Sequence, residues 1–197
     1  PVTDGLRDAL GYGLPNGRRL VFASQEPLRL ISAQHIKRNP APPVEWIVKP
    51  IVAKHERVIL YGEYGSFKTW LLLHMGLHIA AGRKWLGEFD VPKPRSVLYV
   101  DEEMSETTTI IRIKQLMDGA EFTGDGMDFM LSSREGVLFS EHGGTILKDR
   151  VWRADYKPEL VIIDSMRATL VGSENEQESV IAFWRALEPL LKAGMTV

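Results

Sequence analysis

From about residue 50 onward, short unbroken apolar runs alternate with longer stretches of helical period. Val58-Ile59-Leu60-Tyr61, Ser96-Val97-Leu98-Tyr99-Val100, Phe129-Met130-Leu131 and Leu160-Val161-Ile162-Ile163 read as strands. Leu160–Ile163 shows no apolar–polar alternation, which is the pattern of a parallel strand buried on both faces. Between them, Lys68–Ala81 is apolar almost all round and ends at Gly82, as a buried helix does. Glu106–Asp118 is a helix with Ser105 as its cap and Gly119 as its stop. His142-Gly143-Gly144 predicts a turn before a helix from about Thr145 to Ala154. Glu178–Ala193 carries Val180, Phe183, Trp184, Leu187 and Leu191 at helical spacing, and Pro189 should kink or shorten it. Strands and helices in alternation predict an α/β fold: a doubly wound, mostly parallel sheet with right-handed crossovers.

The first 49 residues have a different texture. Gly and Pro are dense, Leu20-Val21-Phe22 and Leu28-Arg29-Leu30-Ile31 could form short strands, and Asn39-Pro40-Ala41-Pro42-Pro43 is a stiff extended linker. The expected organisation is an N-terminal arm and linker over 1–49 and one domain over 50–197. The last residues, Gly194-Met195-Thr196-Val197, look like the start of another strand. The domain is therefore expected to be incomplete at its C-terminus, cut before or within a core strand. A first residue Pro1 in place of Met suggests a processed or trimmed chain.

Composition narrows the function classes. At 197 residues, 44% apolar and 25% charged, the chain can build a real core. A net charge of −2 gives no global basic field for nucleic acid. Cysteine is absent, so disulfides and thiolate metal sites are excluded. No apolar run approaches the ~18 residues of a membrane span, and the N-terminus has no signal-peptide pattern. The expected location is cytoplasmic, in a bacterium or in the host of a phage.

The chemistry concentrates at Gly62-Glu63-Tyr64-Gly65-Ser66-Phe67-Lys68-Thr69, a Gly-containing turn between an apolar strand and an apolar helix. The first N–H groups of a helix lack intrahelical partners and carry partial positive charge. A polyphosphate supplies the missing acceptors. Lys68 would add a cation at the β- and γ-phosphates, and Thr69 a hydroxyl for Mg²⁺. The Walker A pattern places Gly before the Lys, and Phe67 stands there instead. Backbone donation does not depend on the side chain, and a helix-start position is expected to have negative φ, open to any residue. On the loop alone, a turn that binds nothing is the alternative.

Two acidic strand ends follow. Asp101-Glu102-Glu103 closes the Val97–Val100 run, and Asp164 closes Leu160–Ile163. In a parallel sheet, ligands lie beyond the carboxyl ends of the strands. Three adjacent carboxylates repel one another unless a cation or a reacting water uses them, although they could also solvate a strand end or precede a helix. Four apolar residues ending in Asp form the Walker B layout, with the Asp on the Mg²⁺ shell.

With these motifs in order, the chain resembles the RecA-like ATPases, and within them the phage and plasmid RepA-type helicase ATPases, the AAA_25 family. The resemblance covers residues 40 to 197. It rests on Pro43–Val48, the Gly-Ser-Phe-Lys form of the loop, His78–Gly87, Tyr99–Ser105, Arg112, Val161–Asp164 and Gly172–Asn175. It implies roles residue by residue. Lys68 and Thr69 match the P-loop lysine and the Mg²⁺ hydroxyl, with Gly62 to Thr69 as the nucleotide cradle. Glu103 matches the glutamate that polarises the attacking water; its Glu-Met-Ser context selects it over Glu102. Asp164 matches the Walker B aspartate, a metal ligand with Thr69, and Arg112 falls where related helicases place an arginine near the nucleotide. The implied activity is Mg²⁺-dependent ATP hydrolysis by a homo-hexameric helicase motor on single-stranded DNA. No sensor or arginine finger is identified before Val197. A P-loop small-molecule kinase and a non-hydrolysing assembly or loader module are the competing readings.

Other features have blander readings. His74 and His78 share a helical face, where packing or hydrogen bonding is expected rather than zinc. Glu174 and Asn175 could belong to a strand-binding loop or cap the next helix. Arg18-Arg19, Lys37-Arg38 and Lys93/Arg95 are expected to be solvated surface. Among the five Trp residues, only Trp85 is a candidate for base stacking.

Overall fold

A computed structural model describes residues 30–197. Residues 30–42 belong to one unit and Pro43–Val197 to a second. In the first, Ser32 caps a short helix α1, Ala33–Arg38, by accepting from the His35 N–H. Leu30 and Ile31 lie in no strand, and the expected strand Leu20–Phe22 and the pair Arg18-Arg19 fall outside the described residues. Lys37 and Arg38 are exposed.

The second unit begins with an antiparallel pair, β1 (Trp46–Val48) and β2 (Val52–Ala53). Ile47, Val48 and Val52 are buried in the core. Helix α2, Lys68–Ala81, has the bounds its composition predicts. Gly82 ends it at φ 64°, and a Cβ there would stand 2.8 Å from Pro94. β3 (Val97–Asp101), helix α3 (Glu106–Gly119), β4 (Phe129–Ser133), helix α4 (Gly143–Arg153) and β5 (Leu160–Asp164) follow. The three strands form a parallel sheet in the order β4-β3-β5. Short helices α5 (Met166–Thr169), α6 (Gln177–Ala186) and α7 (Glu188–Lys192) complete the unit. One apolar layer joins α2 to the β1–β2 pair and one sheet face, centred on Leu73, Ile79 and Tyr99. The other joins α4, α6 and α7 to the opposite face, centred on Val100, Phe139 and Leu190.

Two elements differ from the sequence pattern, and a third breaks where its proline predicts. Val58–Tyr61 is not a strand: Val58 N–H bonds the Val197 carbonyl at 2.9 Å, but among the described residues no backbone stands opposite Ile59–Tyr61. An apolar run forms a strand only where a neighbour supplies hydrogen bonds, and these side chains remain largely exposed. Gly143 and Gly144 are not a turn but the first residues of α4. A Cβ on Gly143 would overlap the Leu138 carbonyl oxygen, and one on Gly144 that of Ala186, so close packing demands glycine there. The Glu178–Ala193 pattern breaks at Leu187, with Pro189 in the first turn of α7, where its missing N–H costs nothing. Thr196 pairs in parallel with Leu160, bonding the Glu159 carbonyl and the Val161 N–H, each at 2.8 Å.

Candidate nucleotide site

The loop Gly62–Thr69 lies at the carboxyl end of the sheet, and its helix starts at Lys68. Phe67 adopts φ 60°, ψ 22°, the left-handed region, so the expected negative φ at this position is corrected. The chain enters the helix through one residue of opposite hand, the geometry that favours glycine. A bulky residue held there costs roughly 1–2 kcal/mol. Gly65 takes the other positive φ of the loop, 78°. The Ser66 hydroxyl donates to the Glu63 carbonyl at 2.7 Å, and Gly62 leaves room for it: a Cβ at residue 62 would approach Ser66 Oγ to 2.9 Å. Among the described residues, the N–H groups of Phe67, Lys68, Thr69 and Trp70 find no backbone acceptor, and no side chain caps the helix. Lys68 Nζ donates to the carbonyls of Gly62 (2.9 Å) and Glu63 (2.7 Å), which centres the ammonium on the loop. Tyr64 and Phe67 are exposed.

Opposite the loop, β3 and β5 run in register, so Asp101 and Asp164 stand side by side. Both are buried. Tyr99, two residues before Asp101, donates its hydroxyl to Asp164 Oδ2 at 2.8 Å. Burial pushes the Asp164 carboxyl above its ordinary range, the Thr69 and Tyr99 hydroxyls oppose that rise, and the charges of Asp101 and Glu103 add to it. Thr69 of the loop and Asp164 of β5 are therefore neighbours. Burial and the Asp164 charge also drive the Tyr99 phenol well above its normal value.

The two glutamates after Asp101 differ in kind. The Glu102 carboxylate accepts from the N–H groups of Glu135, Gly136 and Val137, each at 3.1 Å, and so anchors the loop between β4 and α4. Glu103 is exposed, and its carboxylate has no hydrogen bond among the described residues. Its main chain is fixed: the N–H donates to Asp101 Oδ1 (3.0 Å) and the carbonyl accepts from Arg134 (3.0 Å). Arg112 on α3 stacks on Trp70, next to Thr69, with its guanidinium carbon 5.2 Å from the ring centre. Its positive charge lowers the Tyr99 phenol against the larger upward pushes.

Tyr99, Trp70 and Thr109 were not legible as site residues, and Asp101 was legible only as one of three strand-end carboxylates. Period-2 alternation along β3 was the available signal for Tyr99, since residues 99 and 101 share a face. Elsewhere the structure corrects three readings. Trp85 is 7% exposed and packs on Phe89 at 5.4 Å between centroids, so it offers no platform for a base. Arg95 is 3% exposed and paired with Glu45 and Glu159, not solvated. Neither Glu174 nor Asn175 caps α6, whose cap position is Glu176. His74 and His78 stack at 4.1 Å, and His78 Nδ1 faces the Lys84 carbonyl at 2.6 Å, which is a packing and hydrogen-bonding role.

Residues 24–197 match the family AAA_25, an AAA domain. The chain belongs to this family, and the class it defines is the P-loop nucleotide-dependent ATPases. The mixed α/β architecture with its parallel three-stranded sheet is compatible with that fold. Among curated proteins, none matches the chain. Among the described residues no helix is long and apolar enough to cross a membrane.

Proposed function

We propose that this chain is the RecA-like motor domain of a RepA-type helicase, hydrolysing ATP with Mg²⁺ to move along single-stranded DNA as a hexamer. One observation carries the hydrolytic part of the reading. Of the two glutamates beyond β3, Glu102 is consumed by three backbone hydrogen bonds, while Glu103 keeps a free carboxylate on a fixed main chain. The division of labour follows. Backbone N–H groups at the start of α2 and Lys68 hold the β- and γ-phosphates. Glu103 orients and polarises the attacking water as general base. Arg112, braced on Trp70 one residue beyond Thr69, would lend its cation to the phosphates.

The residues fit magnesium. Thr69 and Asp164 bring hard oxygens together, as octahedral Mg²⁺ sites with few protein ligands require, and the Asp164 carboxyl is a buried group short of positive charge. Held by Thr69 and Asp164, Mg²⁺ would neutralise charge on the β- and γ-oxygens. The nucleotide cradle is Gly62 to Thr69. In this reading the arm and linker over 1–49 precede a motor over 50–197, and the arm's last residues supply β1. The arginine that completes such sites comes from an adjacent subunit. Turnover should therefore depend on assembly: as a monomer the chain should bind nucleotide but hydrolyse it slowly.

The test is ATP hydrolysis with and without single-stranded DNA, alongside light scattering, over a range of chain concentrations. DNA-stimulated turnover by a ring of this chain supports the helicase reading. Full DNA-stimulated turnover by the 197-residue chain as a monomer rules out the trans-acting arginine. Phosphate transfer to a small acceptor would favour a kinase, and nucleotide binding without turnover at any concentration a loader module.

A further inference from the structure

We propose that Asp101 and Thr109 are positioning residues for the hydrolytic site: one buried carboxylate fixes both the main chain of Glu103 and the helix that carries Arg112. The inference rests on the reading of Glu103 given above. Asp101 is 0% exposed. Its Oδ1 accepts from the N–H groups of Glu103 (3.0 Å) and Met104 (2.9 Å), closing a tight turn immediately after β3. Its Oδ2 accepts from the Thr109 hydroxyl, also fully buried, at 2.5 Å. Thr109 lies in the first turns of α3, behind the Ser105 cap, and its oxygen also lies 3.2 Å from the Ser105 carbonyl. Arg112 is three residues further on, on the adjoining part of the same helical face.

The chemistry argues that orientation, not stability alone, is at stake. A buried carboxylate is costly without a cation, and each of these three donors is neutral. What they hold is the four-residue turn whose single free functional group is the Glu103 carboxylate. The remaining main chain is tied in the same way: Glu102 N–H bonds the Asp164 carbonyl at 3.0 Å, and Arg134 N–H bonds the Asp101 carbonyl at 2.8 Å. Rotating this turn would swing the Glu103 carboxylate away from the water it polarises, and small misplacements of a catalytic group cost about 100-fold.

The two side chains make different predictions on substitution. In Asp101→Asn the amide oxygen still accepts from both N–H groups. Its Nδ2 can donate to the Thr109 oxygen, whose proton then turns to Ser105. Asp101→Ala loses all three bonds, and Thr109→Val loses the link to α3 with little change of volume.

The experiment measures single-turnover Mg-ATP hydrolysis, which reads rates below steady-state detection, together with fluorescent-nucleotide affinity and melting temperature. Thr109→Val should slow hydrolysis about 10-fold with affinity within about 2-fold of the parent, and Thr109→Ser should restore most of the rate. Asp101→Ala should lose about 100-fold and Asp101→Asn far less. Thr109→Val at the parental rate overturns the inference, as does a parallel loss of rate, affinity and stability that Thr109→Ser does not repair. Glu103→Gln is the control. If it keeps the parental rate, the assignment of Glu103 fails and this inference with it. If it abolishes turnover while Thr109→Val does not, only the positioning role fails.

Discussion

The two sides of the candidate nucleotide site are built by opposite means. On the β3–β5 side, Asp101 and Asp164 are buried and hydrogen-bonded, and Glu102 ties the neighbouring loop. On the loop side, Val58–Phe67 is largely exposed, the leading N–H groups of α2 find no backbone acceptor among the described residues, and Lys68 reaches back to loop carbonyls. Aspartates and phenol make directional bonds that survive without ligand, so the acidic side is preorganised. Exposed helix N–H groups left to water favour an anion that can replace it, so the loop side gains directional bonds only when a ligand binds.

The sharpest way to break the comparison is within the acidic side. Glu103→Gln should leave nucleotide affinity intact and cut turnover by about 100-fold or more. Glu102→Gln should instead act on stability, costing roughly 1–2 kcal/mol through weakened charge-assisted bonds, with a much smaller effect on rate. If Glu102→Gln removes turnover and Glu103→Gln does not, the assignment is off by one residue.

Next in size is the strain on the loop side. Phe67→Gly should stabilise the protein by roughly 1 kcal/mol, because glycine adopts the left-handed conformation without penalty. Thermal melting checks it, and a loss of stability would mean that the exposed ring holds the loop.

The Asp164 carboxyl offers a finer test. Its elevation by burial means that the ionised form is disfavoured in the nucleotide-free protein. Protons bind the folded state more tightly, so this group's contribution falls as pH rises through the window from the ordinary carboxylate value to the raised one. Asp164→Asn should therefore raise the melting temperature at neutral pH while removing Mg²⁺ dependence, measured by calorimetry with and without Mg²⁺.

The smallest effect concerns the histidine pair on α2. Burial lowers both His74 and His78. The unfolded chain then binds protons more tightly, so stability is full above an unfolded value of about 6.5 and is lost as pH falls from there through the folded values. His74→Gln should flatten that part of the pH–melting curve.

What could be read in advance divides along similar lines. The bounds of α2 and the core of β5 were visible because burial on all sides writes long apolar runs. Ser105 announced α3 through its cap. Val58–Tyr61 has the same apolar look but no partner opposite Ile59–Tyr61, and pairing is a tertiary property. Gly143 and Gly144 looked like a turn because a close helix contact and a turn ask for the same residue. The loop, Glu103 and Asp164 were visible as motif positions. The parts played by Asp101, Tyr99 and Thr109 were not, since they depend on which oxygen faces which donor across two strands and a helix. The left-handed φ of Phe67 had one signal, the glycine that the Walker A pattern places there.

The central claim is that Gly62–Thr69 binds nucleoside triphosphate through α2 and Lys68. Titration of the chain with fluorescent ATP and Mg²⁺, against a folded Lys68→Ala variant, tests it directly. Saturable binding by the parent and loss or severe weakening in the variant is the predicted result. Equal affinity in a Lys68→Ala protein with the parental circular dichroism spectrum would contradict the site assignment.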